Sequence, residues 1–179
     1  ENSIRRFESK LDWIDFSQTK VFANTDLLET FKDQIDWRTE DDDSFWRTVA
    51  SNESIAWTPE LIEKYEDRLN FNYLSMNERI QWSEQLIDQF KHRWNWDNLM
   101  MNYSIPWTLP MLNRFIQYID TTKFHFQANQ ALTGQLDILE AYPGFFWDRA
   151  VWGNPRLPWK EKNLLTLWAE KLDWYALAG

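Results

Sequence analysis

The chain has 179 residues, a formal net charge of −9 and no cysteine, with 44% hydrophobic and 26% charged residues. This is enough for one globular domain with a sizeable core. The composition excludes a disulfide framework and thiolate metal sites, a basic stripe for duplex nucleic acid, and a transmembrane helix, because the apolar runs are too short. The four Gly and six Pro are too few for a loop-rich all-β fold, and the 13 Trp call for an explanation.

In chain order, the first apolar set is Ile4, Phe7 and Leu11, one face of a helix already under way. Six helix starts then follow, with cap positions at Asn24, Thr58, Ser83, Thr108, Gln135 and Glu161. Three residues after these caps stand Leu27, Leu61, Leu86, Met111, Ile138 and Leu164; four after stand Leu28, Ile62, Ile87, Leu112, Leu139 and Leu165. Seven after stand Phe31, Tyr65, Phe90, Phe115, Tyr142 and Trp168; eleven after stand Ile35, Leu69, Trp94, Ile119, Phe146 and Leu172. That spacing predicts one face of a helix about three turns long. Asn, Thr and Ser are good caps because a side-chain oxygen accepts a free backbone N–H. Pro59 suits the first helical position. Gln135 and Glu161 are poorer caps.

A second signal follows each of these helices. It is an apolar residue, then Asp or Asn, then an aromatic: Leu11-Asp12-Trp13, Ile35-Asp36-Trp37, Leu69-Asn70-Phe71, Trp94-Asn95-Trp96 and Leu172-Asp173-Trp174. It predicts a short second helix capped by the Asp or Asn. An Asn then recurs as Asn52, Asn77, Asn102, Asn129 and Asn154, at steps of 25, 25, 27 and 25. It is expected to end the short helix in the left-handed conformation and to bridge backbone turns of neighbouring repeats through its amide. Ile55-x-Trp57, Ile80-x-Trp82, Ile105-x-Trp107 and Leu157-x-Trp159 then read as extended links into the next helix.

The elements thus repeat every 25 residues or so. Such a repeat cannot bury its own apolar face, and stacked neighbours do that for it. The fold expectation is all-α: a right-handed α-solenoid of short helix pairs, about six to seven repeats of roughly 25 residues, over 1–179 as a single repeat domain. Two places depart from the template. About nine residues, including Glu40-Asp41-Asp42-Asp43, are inserted between Trp37 and Trp46. The fifth repeat is degenerate, with Gly134 in the place of the linking Trp and an inverted Trp147-Asp148. Both termini keep apolar template positions (Ile4, Phe7 and Leu11; Leu172, Trp174 and Leu177) and lack a polar end face. The expectation is a segment of a longer protein, with self-association or flanking domains at the array ends.

The pattern of acid, Trp, two variable residues, Leu-Ser, one variable residue and Asn resembles a Trp-rich tandem-repeat family of bacteria and large DNA viruses. The matching residues are Asn70-Phe71-x-x-Leu74-Ser75-x-Asn77 and Asn95-Trp96-x-x-Leu99-Met100-x-Asn102. The resemblance covers nearly the whole chain and implies helical repeats without implying any chemistry. Only Ser17 and Ser75 keep the Ser; Ala50 and Met100 replace it elsewhere.

Periodicity marks Trp13, Trp57, Trp82, Trp96, Trp107, Trp159 and Trp168 as core rather than as a stacking surface for sugars or bases. Asn52, Asn77, Asn102, Asn129 and Asn154, with Trp57, Trp82, Trp107 and Trp159, are the structural repeat positions. Aromatics off the template are the better surface candidates: Tyr73, Tyr103, Tyr118, Trp152 and Tyr175. The run Glu40–Asp43 lacks the alternating ligands and glycine of a calcium loop and reads as a solvated insertion. His92 and His125 have no Cys and no helical His partner, so no metal site is expected. Asn52-Glu53-Ser54 and Asn102-Tyr103-Ser104 match a glycosylation acceptor pattern, but both Asn are template positions. No phosphate loop, nucleophile elbow or cofactor motif is present.

The reading is a non-catalytic protein-interaction scaffold, its acidity favouring basic partners. The alternatives are a carbohydrate-binding module using the off-template aromatics, and an accessory or regulatory domain of a larger enzyme. No duplex nucleic acid and no membrane insertion are expected. The lack of Cys and of a visible signal peptide fits a reducing compartment such as the cytoplasm.

Overall fold

The computed structural model describes residues 2–35, 37, 48–120, 129, 132 and 135–142. Every regular element among them is helical, and none is a strand. The α-helices are α1 (Asn2–Phe7), α2 (Trp13–Phe16), α3 (Thr25–Thr30), α4 (Pro59–Lys64), α5 (Phe71–Met76), α6 (Glu84–Gln89), α7 (Trp96–Met101), α8 (Leu109–Phe115) and α9 (Leu136–Ala141). Short 3₁₀ turns lie at Glu8–Lys10, Lys20–Ala23, Val49–Ser51 and Ile116–Tyr118. The chain forms two compact parts, Glu1–Asn95 and Trp96–Gly179.

The caps act as the sequence suggests. Asn24 Oδ1 accepts the Asp26 N–H (3.0 Å), Thr58 Oγ1 that of Leu61 (3.3 Å), Ser83 Oγ that of Leu86 (3.2 Å) and Thr108 Oγ1 that of Met111 (3.4 Å). Gln135 makes no side-chain cap for α9. The second helices are capped likewise: Asn70 Oδ1 accepts Asn72 N–H at 2.9 Å and Tyr73 N–H at 3.5 Å. Asp12 Oδ1 accepts Asp15 N–H at 3.3 Å.

Helix length differs from the expectation of three turns. The first helix of a repeat has only six or seven residues, as in α4 and α8, and α4 is no longer than its partner α5. In the first compact part α-geometry stops at the aromatic seven residues past the cap. Phe31, Tyr65 and Phe90 sit near φ −113° and ψ 17–25°, in the sparsely allowed bridge region. The turn that follows still returns the next apolar residue to the same face: Leu69 N–H bonds to the Tyr65 carbonyl at 3.0 Å and Trp94 N–H to that of Phe90 at 3.2 Å. Helical periodicity therefore outlasts the helix.

The predicted face is the core. In the first part Leu28, Ile62, Leu74 and Ile87 are wholly buried, with Phe31, Tyr65, Phe90, Ile35, Leu69 and Trp94 around them. In the second part Leu99, Leu112, Leu132, Ile138 and Leu139 are wholly buried, with Trp107, Met111 and Phe115 beside them. Each large apolar side chain fully buried contributes about 1.5–3 kcal/mol, against about 1 kcal/mol for a cap. Packing therefore holds these short helices, which are too short to persist alone in water. Trp13 and Trp96 are only half-buried, so not every template Trp is deep core.

Two local expectations are corrected. Asn52 and Asn77 end their helical turns in extended backbone, at φ −70°, ψ 106° and φ −71°, ψ 109°, not in the left-handed region. Their side chains make the turn instead: Asn52 Oδ1 accepts Ser54 N–H (2.8 Å) and Asn77 Oδ1 accepts Arg79 N–H (3.0 Å), an Asx-turn that needs no positive φ. The apolar-x-Trp links are γ-turns rather than plain extended chain. Trp57, Trp82 and Trp107 donate their N–H to the carbonyls of Ile55, Ile80 and Ile105 at 2.9–3.0 Å. Pro106, central in the last of these, has the fixed φ that the inverse γ-turn requires.

Candidate functional site

The side chains with the most specific geometry tie one repeat to the next. Asn52 Nδ2 donates to the carbonyls of Ser17 (2.7 Å) and Thr19 (3.1 Å), and Asn77 Nδ2 to that of Ala50 (3.1 Å). In the second compact part Asn129 Nδ2 donates to the Met100 carbonyl (2.8 Å). Asn102 Oδ1 accepts Ser104 N–H (3.0 Å), the turn that Asn52 and Asn77 make. All four Asn are at most 4% exposed. This burial makes the two glycosylation patterns structural. Ser75 adds a further tie, its Oγ donating to the Phe71 carbonyl (2.6 Å) and accepting Asn95 N–H (3.1 Å). The Leu-Ser-x-Asn pattern is thus a pair of bridges.

Sequence reasoning missed three other ties, two of them recurrent. Ten residues past the cap, Arg68 and Arg93 lie over the second-helix aromatic of the preceding repeat: Arg68 Cζ is 5.9 Å from the Trp37 ring centre and Arg93 Cζ 4.8 Å from that of Phe71. Each also bonds a main-chain carbonyl of the preceding repeat, Lys32 and Glu66, at 2.9 Å. Arg93 Nη1 reaches Glu66 Oε1 as well, at 3.3 Å. In the second part Tyr118 holds the corresponding place, stacked on Trp96 at 5.1 Å and 9°. The recurrence of Arg68 and Arg93 at 25 residues was visible, but two arginines on an outer face look like ordinary solvated charge.

The second missed tie comes from the hydroxyls seven residues past the cap. Tyr65 Oη donates to Glu29 Oε2 (2.5 Å) and Tyr142 Oη to Asn113 Oδ1 (2.5 Å), each acceptor five residues past the preceding cap. Glu29 also receives Lys32 Nζ (2.7 Å) and Lys64 Nζ (2.6 Å). Bonds from Lys32, Lys64 and Tyr65, in that order, lower its carboxyl from the ordinary 4.5 to about 2. Burial, then the Glu29 carboxylate, raises the Tyr65 phenol. The third tie explains the weak cap at Gln135: its Nε2 donates to the Trp107 carbonyl (2.7 Å), so the side chain is spent on the preceding repeat.

The predicted surface aromatics separate. Tyr73 is only 6% exposed, packed into the first part on the inward side of α5, so it is core and not surface. Tyr118 is half-buried and stacks on Trp96. Tyr103 is 55% exposed, with Met101 at 40% close by in sequence. Trp152 and Tyr175 lie outside the described residues, as do Asn154, Trp159, His125, Gly134 and the run Glu40–Asp43. His92 is exposed.

Two hollows open in the first part. A cleft of about 270 Å³ is bounded by Asp67, Leu69, Asn70, Phe71, Asn72 and Arg93. A notch of about 160 Å³ is bounded by Ala56, Trp57, Thr58, Pro59, Arg79 and Gln81. Trp82 Nε1–H is satisfied by the Asn77 carbonyl (3.0 Å) and Trp94 Nε1–H by that of Ile87 (3.1 Å). Trp57 Nε1, Trp107 Nε1 and Asn70 Nδ2 are buried without an acceptor.

Among the described residues no group of three or more His, Asp or Glu side chains is placed to hold a metal ion, and no helix is long and apolar enough to cross a membrane. No family model matches the chain, and no curated protein or solved structure is similar to it.

Proposed function

We propose that the protein is a non-catalytic interaction scaffold, a right-handed α-solenoid of about six to seven repeats that presents an apolar anchor to a protein partner. The observation that carries this reading is Tyr103. The Asn that closes each second helix is followed by Glu53, Glu78 and Tyr103 in turn, and all three are exposed. The fold makes no demand on that position, since two repeats fill it with Glu. Tyr103 is 55% exposed, and no hydrogen bond or ring contact among the described residues involves its side chain. Met101, two residues earlier, is 40% exposed where Ser51 and Met76 are half-buried. Tyr and Met are enriched where proteins meet, and an exposed aromatic that the fold does not use is a natural anchor. The net charge of −9 favours a partner with basic residues around the contact.

The test is the pair Tyr103→Glu and Met101→Lys, read against the melting temperature. Under this reading a cross-linked protein partner is lost while the melting temperature stays within about 1 °C of wild type, as befits surface changes. A partner that survives both changes overturns the reading. The exposed Tyr103 ring also suits a sugar face. Binding on a glycan array that Tyr103→Ala abolishes, with no protein partner captured, favours the carbohydrate reading.

A further inference from the structure

We propose that the face formed by Ile4, Phe7, Lys10 and Leu11 is a docking surface for a second copy of this chain, which seats its Trp174 there head to tail. Aligning Leu11-Asp12-Trp13 with Leu69-Asn70-Phe71 puts these four residues at the places of Ile62, Tyr65, Arg68 and Leu69. In later repeats those places face the preceding repeat. The aromatic seven residues past the cap lies on the preceding second-helix aromatic at four successive steps. Between ring centres, Phe31 is 5.5 Å from Trp13, Tyr65 4.8 Å from Trp37, Phe90 6.0 Å from Phe71 and Phe115 5.5 Å from Trp96. Phe31, Tyr65, Phe90 and Phe115 are at most 5% exposed. Phe7, their counterpart, is 50% exposed. No ring among the described residues packs on it, and its neighbour Arg6 has Cζ 5.7 Å from the ring centre.

The polar half of this contact recurs too. The donor ten residues past the cap reaches back to the residue eight past the preceding cap. Gln34 Nε2 donates to Glu8 Oε1, Arg68 Nη1 to the Lys32 carbonyl and Arg93 Nη2 to the Glu66 carbonyl, each at 2.9 Å. Lys10 is the donor at that place in the first repeat; it is exposed and has no partner among the described residues. Ile4 and Leu11 are half-buried where Ile62 and Leu69 are buried. Phe7 thus lacks the ring its four counterparts have, and Lys10 lacks the acceptor that Gln34, Arg68 and Arg93 have. Exposed apolar surface rimmed by a polar group marks an interaction site. The chain itself carries the matching element. Leu172-Asp173-Trp174 repeats the apolar-acid-aromatic signature of Leu11-Asp12-Trp13, and no further seventh-position aromatic follows it in the 179 residues. Ala169, five residues before Trp174, stands at the place of Lys32 and Glu66, where a main-chain carbonyl suffices. A second copy therefore offers ring and carbonyl at the spacing the later repeats use, and the packing between repeats continues from copy to copy. This inference does not rest on the reading built on Tyr103.

The experiment is light scattering on the full 179-residue chain across about a hundredfold range of concentration. The mean mass is expected to rise with concentration and to pass the dimer, because a head-to-tail contact leaves each assembly a free face until a ring closes. Phe7→Glu and Trp174→Ala each weaken association roughly tenfold or more, as loss of an aromatic anchor does. Lys10→Ala weakens it less, and Tyr103→Glu leaves it unchanged. An equimolar mixture of the Phe7→Glu and Trp174→Ala proteins restores one contact, since each keeps the end the other has lost, and gives a dimer that grows no further. Phe7 is exposed, so Phe7→Glu keeps the wild-type melting temperature. Should Trp174→Ala fail to fold, a photoreactive benzoylphenylalanine in place of Phe7 tests the same contact, and its cross-link between copies is expected within 169–177. A strict monomer at every concentration overturns the proposal. So does association undiminished in Phe7→Glu or in folded Trp174→Ala, association abolished in Tyr103→Glu, a mixture of the two folded variants that stays monomeric, or a cross-link outside 169–177.

Discussion

The stretch from Val49 to Asn95 and the stretch from Trp96 to Tyr142 run on the same template with unequal fidelity. In the first, the linking Trp and the Asn recur at 25 residues and both helix starts have capping hydroxyls, Thr58 and Ser83. In the second, the step from Asn102 to Asn129 lengthens to 27 and α9 begins without a side-chain cap. The inter-repeat ties survive even so. Asn129 bonds the Met100 carbonyl as Asn77 bonds that of Ala50, and Tyr142 reaches Asn113 as Tyr65 reaches Glu29. Ties to a main-chain carbonyl do not depend on which residue provides it, so Ala50 and Met100 serve equally. The Ser75–Asn95 tie needs a hydroxyl, and Ala50 and Met100 lack one. The Asn recurs in five repeats and the Ser in only two.

The most severe way to break the regular stretch is to remove a linking ring. Trp82→Ala deletes a side chain 7% exposed that packs on Trp94 at 5.2 Å and donates to the Asn77 carbonyl. The expected cost is about 3–5 kcal/mol by denaturant unfolding. A loss below 1 kcal/mol would show that the link does not depend on the ring. Next come Asn77→Ala and Asn129→Ala, each expected to cost about 1–3 kcal/mol because a buried carbonyl loses its donor. If the two losses match, the irregular stretch relies on its tie as much as the regular one does. A neutral Asn129→Ala would confine the structural Asn to the regular repeats.

Much of this was legible, because apolar periodicity and capping hydroxyls are local signals. The face through Leu28, Ile62, Ile87, Leu112 and Leu139 and the four working caps could be read directly. Less legible were features set by contacts between repeats. The helix ends at Tyr65 could not be read, because the Tyr65–Leu69 turn preserves the helical spacing it interrupts. Tyr73 was misplaced because no counterpart recurs around it: Asn98 stands 25 residues later, and the inward side of α5 shows only in the fold. The stack of Tyr118 on Trp96 does not show in the sequence, because Trp96 lies 22 residues back, in another repeat. Trp57 and Trp82 are indistinguishable in sequence, yet only one has its N–H satisfied.

The smallest expected effect sharpens the comparison between the two Tyr ties. Glu29 is charged and Asn113 is not, so only the first should respond to pH. The Glu29 carboxyl is lowered from 4.5 to about 2 by Lys32, Lys64 and Tyr65. A depressed carboxylate contributes stability that is fully present above its unfolded value and is lost as pH falls through its folded value. The melting-temperature gap between wild type and Glu29→Gln should thus be constant above about pH 5 and close progressively between about pH 4.5 and pH 2. The side chain is 40% exposed, so added salt should shrink the gap at every pH. The gap between wild type and Asn113→Ala should stay flat over the same range, because the acceptor of that tie is an uncharged amide and not a carboxylate. Thermal unfolding of the three proteins from pH 7 to pH 2 gives both curves. A Glu29→Gln gap that holds at pH 2, or widens as the solution is acidified, would show that the Lys32–Glu29–Lys64 cluster does not stabilise the fold through its charge.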